Sequence, residues 1–336
     1  MYTRWMVRWN GTCQVVHNLS EMLLENGHSV RIFCNHASVG DWLHDEAEVV
    51  ELPKNPIAAY QQITELYQER PPDIAHSHDN LGYLAELTSV PHVTTSHSNW
   101  PRSWFLSRDH FLAGVVQEIP YDLLLRLSDA AVAVSEYSQR QLASRYNSSE
   151  VVYNGVQVPE DVSYSSDQSF LFVGTVDNRK AKYLPQIWEH IESQSDATLD
   201  VVGNPSSERI VEALRLFESV TVHGKVDKIE PFYTDSSVLL FPSRAEACPL
   251  TVLEAQAHGL PVVAFDVCSH SELIRDRTGD VVSPYDIDSF ATAAIHQLLD
   301  YNQDVFELCR ENIKDKFNVG YMFQEYLELY HALTNR

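Results

Sequence analysis

One stretch of the sequence, residues 238–265, concentrates groups able to hold an anion together with hydroxyls. Two carboxylates frame it, Glu246 and Glu254, with seven residues between them. Cys248-Pro249 opens a helical pattern inside the frame. A helix start exposes N–H groups without intrahelical partners and carries the positive end of the helix dipole. Here those donors are the amides of Leu250 and Thr251, and a phosphate suits them. Glu254, one turn into the helix, can accept hydrogen bonds from neutral hydroxyls such as a ribose diol. Glu246, in the turn before the helix, is expected to face the same site. Two acids beside an anion site make chemical sense only if the ligand brings hydroxyls for them, and a nucleotide-sugar carries both phosphates and hydroxyls.

The elements that must position these groups read as strand, turn, helix, turn, strand. Val238–Phe241 is a short apolar run of the kind that forms a buried parallel strand, and Pro242 and Ser243 end it. Pro249 suits the first helical position, where no N–H is needed. Leu250, Leu253 and Ala257 recur at helical spacing. Gly259 stands where a left-handed helix stop is wanted, and Pro261 prevents continuation. Residues 261–265 form the next buried strand. The helix therefore starts just beyond the carboxyl end of a strand, where doubly wound sheets bind ligands.

The run from Pro242-Ser243 through Glu246 and Glu254-Ala255-x-Ala257-x-Gly259-x-Pro261-Val262-Val263 resembles the signature of retaining glycosyltransferases of the GT-B fold, family 4 (group 1) type. Four further segments resemble the same family: residues 23–33 (LLENGHSVRIF), its first helix and second strand; residues 73–78 (DIAHSH), a strand end lining the cleft; Asn154-Gly155-Val156, the end of the first lobe; and residues 319–333, a last helix that crosses back. The resemblance implies a metal-independent enzyme that moves a sugar, with retention, from a nucleotide-diphosphate sugar to an acceptor hydroxyl, with no cofactor and a UDP-sugar as the expected donor. It implies lobes 1–156 (acceptor side, joined by helix 319–336) and 157–318 (nucleotide-sugar side). Glu246 would hold the donor sugar's hydroxyls and Glu254 the ribose. Lys180 stands where the family carries its phosphate lysine. The family's arginine follows Gly174 directly, where this chain has Thr175, and Arg179 is the nearby guanidinium. The base is expected near Gly224–Val226, on backbone. In the first lobe, His97 at a strand end would contact the donor sugar, Asn10-Gly11-Thr12 replaces the family's Gly-Gly loop, and the absence of a Cβ at Gly11 would let the chain approach the phosphates. Lys180 and the amides of Leu250 and Thr251 would neutralise the departing diphosphate, aimed at growing negative charge. No divalent ion is then expected, and the chain is read as lacking an Asp-x-Asp pair to hold one.

The 336-residue chain as a whole agrees with an α/β reading. Strand and helix patterns alternate in both halves, predicting two doubly wound parallel sheets facing a cleft. Expected strands include residues 29–34, 49–52, 92–97, 130–134, 151–156, 169–174, 198–202, 220–223 and 279–282. Expected helices include 13–25, 57–68, 81–87, 121–127, 135–146, 183–193, 207–217, 230–234, 287–299 and 305–316. The first strand, within residues 1–10, is short at best. His76 and His78 share one strand face and could form half of a metal site, although no third ligand follows at a suitable spacing. Trp100, Trp104, Phe105, His110 and Phe111 could stack on an acceptor or pack the lobe. Formal charge is −23, spread over both halves. That argues against a nucleic-acid partner and against an anionic membrane held by a basic patch. Five scattered cysteines in no CxxC pair fit a reducing cytosol, and no apolar run is long enough to span a bilayer. Two other readings stay open: a GT-B nucleotide-sugar epimerase, and a protein of this fold that binds sugar nucleotides without turnover. The acceptor is not legible.

Overall fold

The computed structural model describes residues 1–7, 10–38, 42–78, 88–97, 125–143, 149–164 and 169–335. The expected helices at 81–87 and over most of 121–127, and the aromatic segment from Trp100 to Phe111, lie outside them. The chain divides into two units, Met1–Gly155 with Val319–Arg336, and Val156–Asn318.

In unit one, β1 (Met6–Val7) pairs with β3 (Ala37–Ser38), and β2 (Arg31–Cys34) with β4 (Glu48–Glu51). The strands β5 (Ala75–Ser77), β6 (His92–Ser96), β7 (Ala130–Ala133) and β8 (Ser149–Val151) form a four-stranded parallel sheet in sequence order. The first strand is indeed reduced. Its place between β2 and β5 is held by Tyr2, which bridges to Phe33 and Ser77. The Tyr2 N–H donates to His76 O at 2.8 Å and its carbonyl accepts from the His78 N–H at 2.9 Å. The side chain makes up for the shortness: it is fully buried, stacks on Phe33 at 5.0 Å and packs with Ile63 and Ala75. Helix α1 (Gly11–Glu25) begins at Gly11, earlier than the apolar spacing suggests, because the Asn10 side chain caps it by accepting from the amides of Thr12 and Cys13. Helix α2 (Pro56–Glu69) is capped the same way by Asn55, and α3 spans Glu136–Ala143. The strand expected over 151–156 ends at Val151, and Val156 makes only a single bridge to Asn318.

Unit two is one six-stranded parallel sheet: β9 (Ser169–Val173), β10 (Thr198–Val202), β11 (Val220–Gly224), β12 (Val238–Phe241), β13 (Val262–Phe265) and β14 (Gly279–Val282), in the order β11-β10-β9-β12-β13-β14. Strand order reverses at β9, so β9 and β12 flank the topological switch point, the place where such sheets take their ligands. β12 and β13 are buried on every residue, as strands covered on both faces must be. Helices α4 (Leu184–Glu192), α5 (Glu208–Leu214), α6 (Glu230–Thr234), α7 (Leu250–Ala257), α8 (His270–Leu273), α9 (Ile287–Asp300) and α10 (Gln303–Asn312) complete it. A core around Phe170, Phe172, Trp188, Leu240, Val263 and Phe290 joins sheet and helices. Gly259, at φ +88°, stops α7. The helix expected over 305–316 gives way after Asn312 to a π-helical turn, Ile313–Phe317.

Helix α11 (Val319–Thr334) belongs to unit one. Its Tyr330 hydroxyl meets His76 Nδ1 at 2.6 Å, and its Tyr326 hydroxyl meets Thr95 Oγ1 at 2.9 Å.

Gly203 tests how tightly the carboxyl ends of the unit-two strands are drawn together. It lies at φ +138°, donates to Gly224 O at 2.8 Å, and a Cβ there would stand 2.0 Å from the Gly174 carbonyl oxygen. Gly203→Ala therefore meets both an unfavourable backbone and a rigid neighbour. The expected cost is about 2–4 kcal/mol, read as a lower urea midpoint at unchanged slope.

Candidate functional site

The site grows from two connections at the carboxyl ends of adjacent strands β9 and β12. After β9 the chain turns sharply over Gly174-Thr175-Val176, and Asp177 organises the residues just beyond. Its Oδ1 accepts from the Arg179 amide at 2.9 Å and the Lys180 amide at 2.8 Å, an Asx turn that fixes where both cations leave the backbone. The Lys180 side chain lies back across Gly174, where a Cβ would sit 3.0 Å from its Cδ. Glycine here leaves the lysine its path.

After β12, the segment Pro242–Pro249 carries Glu246. Its Oε1 is 2.5 Å from Arg179 Nη1 and 3.1 Å from Lys180 Nζ, with the Ser243 hydroxyl at 3.4 Å. One backbone bond and two side-chain bonds hold the two connections in register: the Arg244 N–H donates to Arg179 O at 2.9 Å, Arg179 Nη1 to Ala245 O at 3.1 Å and Arg244 Nη1 to Asn178 O at 3.2 Å. The Glu246 side chain is 15% exposed. Burial alone would raise its pKa, but Lys180 and Arg179, with the hydrogen bond from Lys180, outweigh that and hold it at about 2. It is therefore ionised throughout the neutral range.

Helix α7 comes next. Pro249 is the N-cap, with φ −70° and ψ 117°, and not the first helical residue as expected; its ψ is extended, so helical geometry begins at Leu250. Pro249 makes no side-chain cap bond here, and the first amides of the helix, Leu250 and Thr251, are the donors the sequence indicated. The other end is tied down. Arg310 Nη1 donates to Ala257 O, the last carbonyl of α7, at 2.8 Å, and Arg310 Nη2 to Pro159 O at 2.7 Å, so a cation sits on the helix end and complements its dipole. Buried Gln256 donates to Leu273 O and accepts from Asn312, fixing the rotation of α7. Glu254, on the same helix, accepts from the Tyr233 hydroxyl at 2.9 Å. Burial raises the Glu254 pKa, partly offset by that hydrogen bond. Tyr233 stacks on His258 at 5.0 Å, and α6 and α7 thereby hold the carboxylate in place.

The structure thus brings Lys180, Arg179 and Glu246 into contact, with Gly174 beneath the lysine. Thr175 lies in the same connection, and its carbonyl accepts from the Asp177 N–H. Cys248 and Pro249 lead into α7. Gly224 and half-buried Val226 lie at and just past the end of β11, linked to this end of the sheet through Gly203. Gly11, Thr12 and His97 belong to unit one. There Asn10-Gly11-Thr12, expected in place of the family's Gly-Gly loop, forms the start of α1: Gly11 is its first residue, and the Thr12 amide donates to Asn10 Oδ1 at 3.0 Å. His97 Nε2 pairs with His78 Nδ1 at 3.0 Å, and burial holds the His97 pKa at about 4, so the ring is neutral near pH 7 and not a cation. The suggested metal pair is also accounted for. His76 uses both ring nitrogens, on Tyr330 and on Thr95 Oγ1 at 2.7 Å, while His78 uses Nδ1 on His97 and its buried Nε2 has no hydrogen-bond partner among the described residues. Among the described residues no group of three His, Cys, Asp or Glu is arranged to hold a metal ion. An Asp-x-Asp spacing does occur, contrary to the sequence reading, at Asp286-Ile287-Asp288, but Asp286 caps α9 through the Ser289 amide and Asp288 pairs with His190.

Asp177, Arg244 and Tyr233 were not singled out from the sequence. The Asp two and three residues before Arg179 and Lys180 is an Asx-turn signal that could have been read. Tyr233 acts on Glu254 from another helix and leaves no local mark.

Two family models cover most of the chain. The model described as Glycosyltransferase Family 4 matches residues 9–159, and the one described as Glycosyl transferases group 1 matches residues 167–300. The chain belongs to this glycosyltransferase family. An uncharacterized 41.2 kDa protein in the cps region of Klebsiella pneumoniae is 28% identical over 229 residues, covering 62% of this chain and 63% of that protein, under two thirds of its length. Sucrose-phosphate synthase from Thermosynechococcus elongatus superimposes with TM-score 0.82 at 19% identity, over 97% of this chain and 94% of that one. Anabaena HepE, solved in complex with UDP-glucose, superimposes with TM-score 0.80 at 15% identity, over 99% and 98%. The fold is GT-B. No helix among the described residues is long and apolar enough to cross a membrane.

The Glu246 pair has a pH signature. A carboxylate whose folded pKa lies below its unfolded value near 4.5 adds stability above that value, and loses it as pH falls toward about 2. Urea unfolding should show Glu246→Gln less stable than the parent by about 1–2 kcal/mol at pH 7. The gap should narrow steadily from pH 4.5 to pH 2.5.

Proposed function

We propose that the chain is a retaining, metal-independent glycosyltransferase that transfers a hexosyl group from a nucleotide-diphosphate sugar, with a UDP-sugar as donor, to an acceptor hydroxyl. The observation that carries this reading is the convergence of Lys180 and Arg179 at the switch point between β9 and β12, beside the uncapped start of α7. Two cations and a free helix N-terminus are what a departing diphosphate needs. As the glycosidic bond to the donor breaks, charge grows on the leaving phosphate oxygens, and preorganised donors stabilise it without reorganising. Arg179 supplies the guanidinium that the family places at the position of Thr175. It approaches from four residues further on and retains the bidentate-capable group.

Glu246 is read as holding the donor sugar's hydroxyls, and Glu254, oriented by Tyr233, the ribose. Retention is consistent with the leaving phosphate oxygen taking the acceptor proton on the face it departs from. The Anabaena HepE complex with UDP-glucose supports a UDP-sugar as the class of donor. Membership in this family, whose Glu246 and Glu254 signature the chain carries in full, favours turnover over epimerisation or passive binding.

The test is a donor screen by nucleotide release, with UDP-, GDP- and ADP-sugars. One donor should be consumed by the wild-type chain. Lys180→Ala should lower kcat by 100-fold or more, on the order expected for removing a charged donor from a leaving group, and Glu246→Ala should abolish turnover within detection. Undiminished release in both variants rules the assignment out. So does nucleotide binding with no donor consumed. EDTA should leave the rate unchanged.

A further inference from the structure

The cations assigned to the diphosphate have a partner within the chain itself. One oxygen, Glu246 Oε1, stands 2.5 Å from Arg179 Nη1 and 3.1 Å from Lys180 Nζ. That is the arrangement a phosphoryl oxygen would adopt between the same two groups. The carboxylate is 15% exposed, the lysine 17% and the arginine 28%, so water screens the contact only partly. Resting on the function proposed for this site, we infer that Glu246 is the resident anion of the diphosphate site: it competes with a nucleoside diphosphate for Arg179 and Lys180, and is drawn off them only when a donor's sugar offers hydroxyls to its carboxylate.

Charge balance dictates the exchange. A bound diphosphate places negative oxygens beside the same cations that Glu246 neutralises. Two anions sharing these cations repel, so one must give way. With a sugar attached, the displaced carboxylate gains hydroxyl donors and the exchange costs little. Without the sugar, as in the nucleoside diphosphate left after transfer, the carboxylate has no such partner and returns to Arg179 and Lys180. Glu246 thus makes the site prefer the sugar nucleotide over its product, which speeds product release. Asp177, which fixes both cations through their own amides, leaves them in place when Glu246 moves.

Titration calorimetry with UDP, GDP, ADP, inorganic pyrophosphate and the corresponding UDP-, GDP- and ADP-sugars tests this on the full chain. Glu246→Gln should bind pyrophosphate and the matching nucleoside diphosphate about tenfold tighter than wild type, or more. Its affinity for the sugar nucleotide should not rise, so the preference for donor over product is lost. Glu246→Asp, which keeps the charge, should retain wild-type diphosphate affinity to within about threefold. A damaged fold lowers affinity, so a gain reports removal of a competitor and not structural harm. Equal or weaker diphosphate binding by Glu246→Gln, or equal tightening of the sugar nucleotide, overturns the inference. Lys180→Ala separates the two failures. If it weakens diphosphate binding and Glu246→Gln does not strengthen it, only the competition is wrong. If it has no effect, or if the wild type binds none of the ligands, the phosphate-site reading falls as well.

Discussion

The contact on which unit two's functional end depends is the three-way ion pair of Glu246 with Arg179 and Lys180. The partners are 67 residues apart in sequence for the arginine pair and come from connections that leave neighbouring strands. Two cations on adjacent residues repel each other. They share this place because one carboxylate lies between them and because Asp177 fixes their backbones. Partial burial strengthens the attraction, since the effective dielectric is well below that of water. The backbone stitch from Arg244 to Arg179 means that the pair does not have to hold the loops together by itself. It fixes side chains on a frame already in register.

That frame is made by the sheet. β9 and β12 pair in parallel, and both send their chains out at the same edge. Three neighbouring connections close against one another there: Gly174 accepts no Cβ from Gly203, and Gly203 reaches Gly224. Helix α7 is fixed by its far end, where Arg310 holds Ala257 O and Pro159 O and where Gln256 meets Leu273 and Asn312. The polar bonding is spent at the carboxyl terminus of the helix, and its N-cap residue, Pro249, makes no side-chain cap bond at the amino terminus.

Much of this was legible in the sequence, for identifiable reasons. β12, α6 and β14 fall on the residues expected, because apolar runs between Pro, Ser and Gly leave few alternatives. Glu246 and Glu254 could be named because their spacing is tied to one strand-helix-strand unit, and Lys180 because the family resemblance places a lysine after the first strand of unit two. The illegible part is pairwise and distant. That Glu246 spends its charge on Arg179 and Lys180, or that Tyr233 holds Glu254, comes from packing that no local pattern records. Asn10 shows how a side chain moves a boundary: its oxygen on the Thr12 amide starts α1 at Gly11, two residues before the apolar spacing begins. At Pro249 the fixed φ suits both the N-cap and the first turn, and only ψ separates them.

The two units hold their polar groups by opposite means. In unit one the strand ends carry histidines that burial keeps neutral, linked by hydrogen bonds from Tyr330 through His76 to Thr95 and Tyr326, and from His78 to His97. In unit two the equivalent end of the sheet carries full charges. The chain as a whole bears −23, which at long range repels any anion. The Debye length at physiological ionic strength is about 8 Å, so that field reaches the switch point largely screened. Within that distance the local groups decide, and there Glu246 lies against both Arg179 and Lys180, so that the carboxylate offsets part of the charge the two cations bring together.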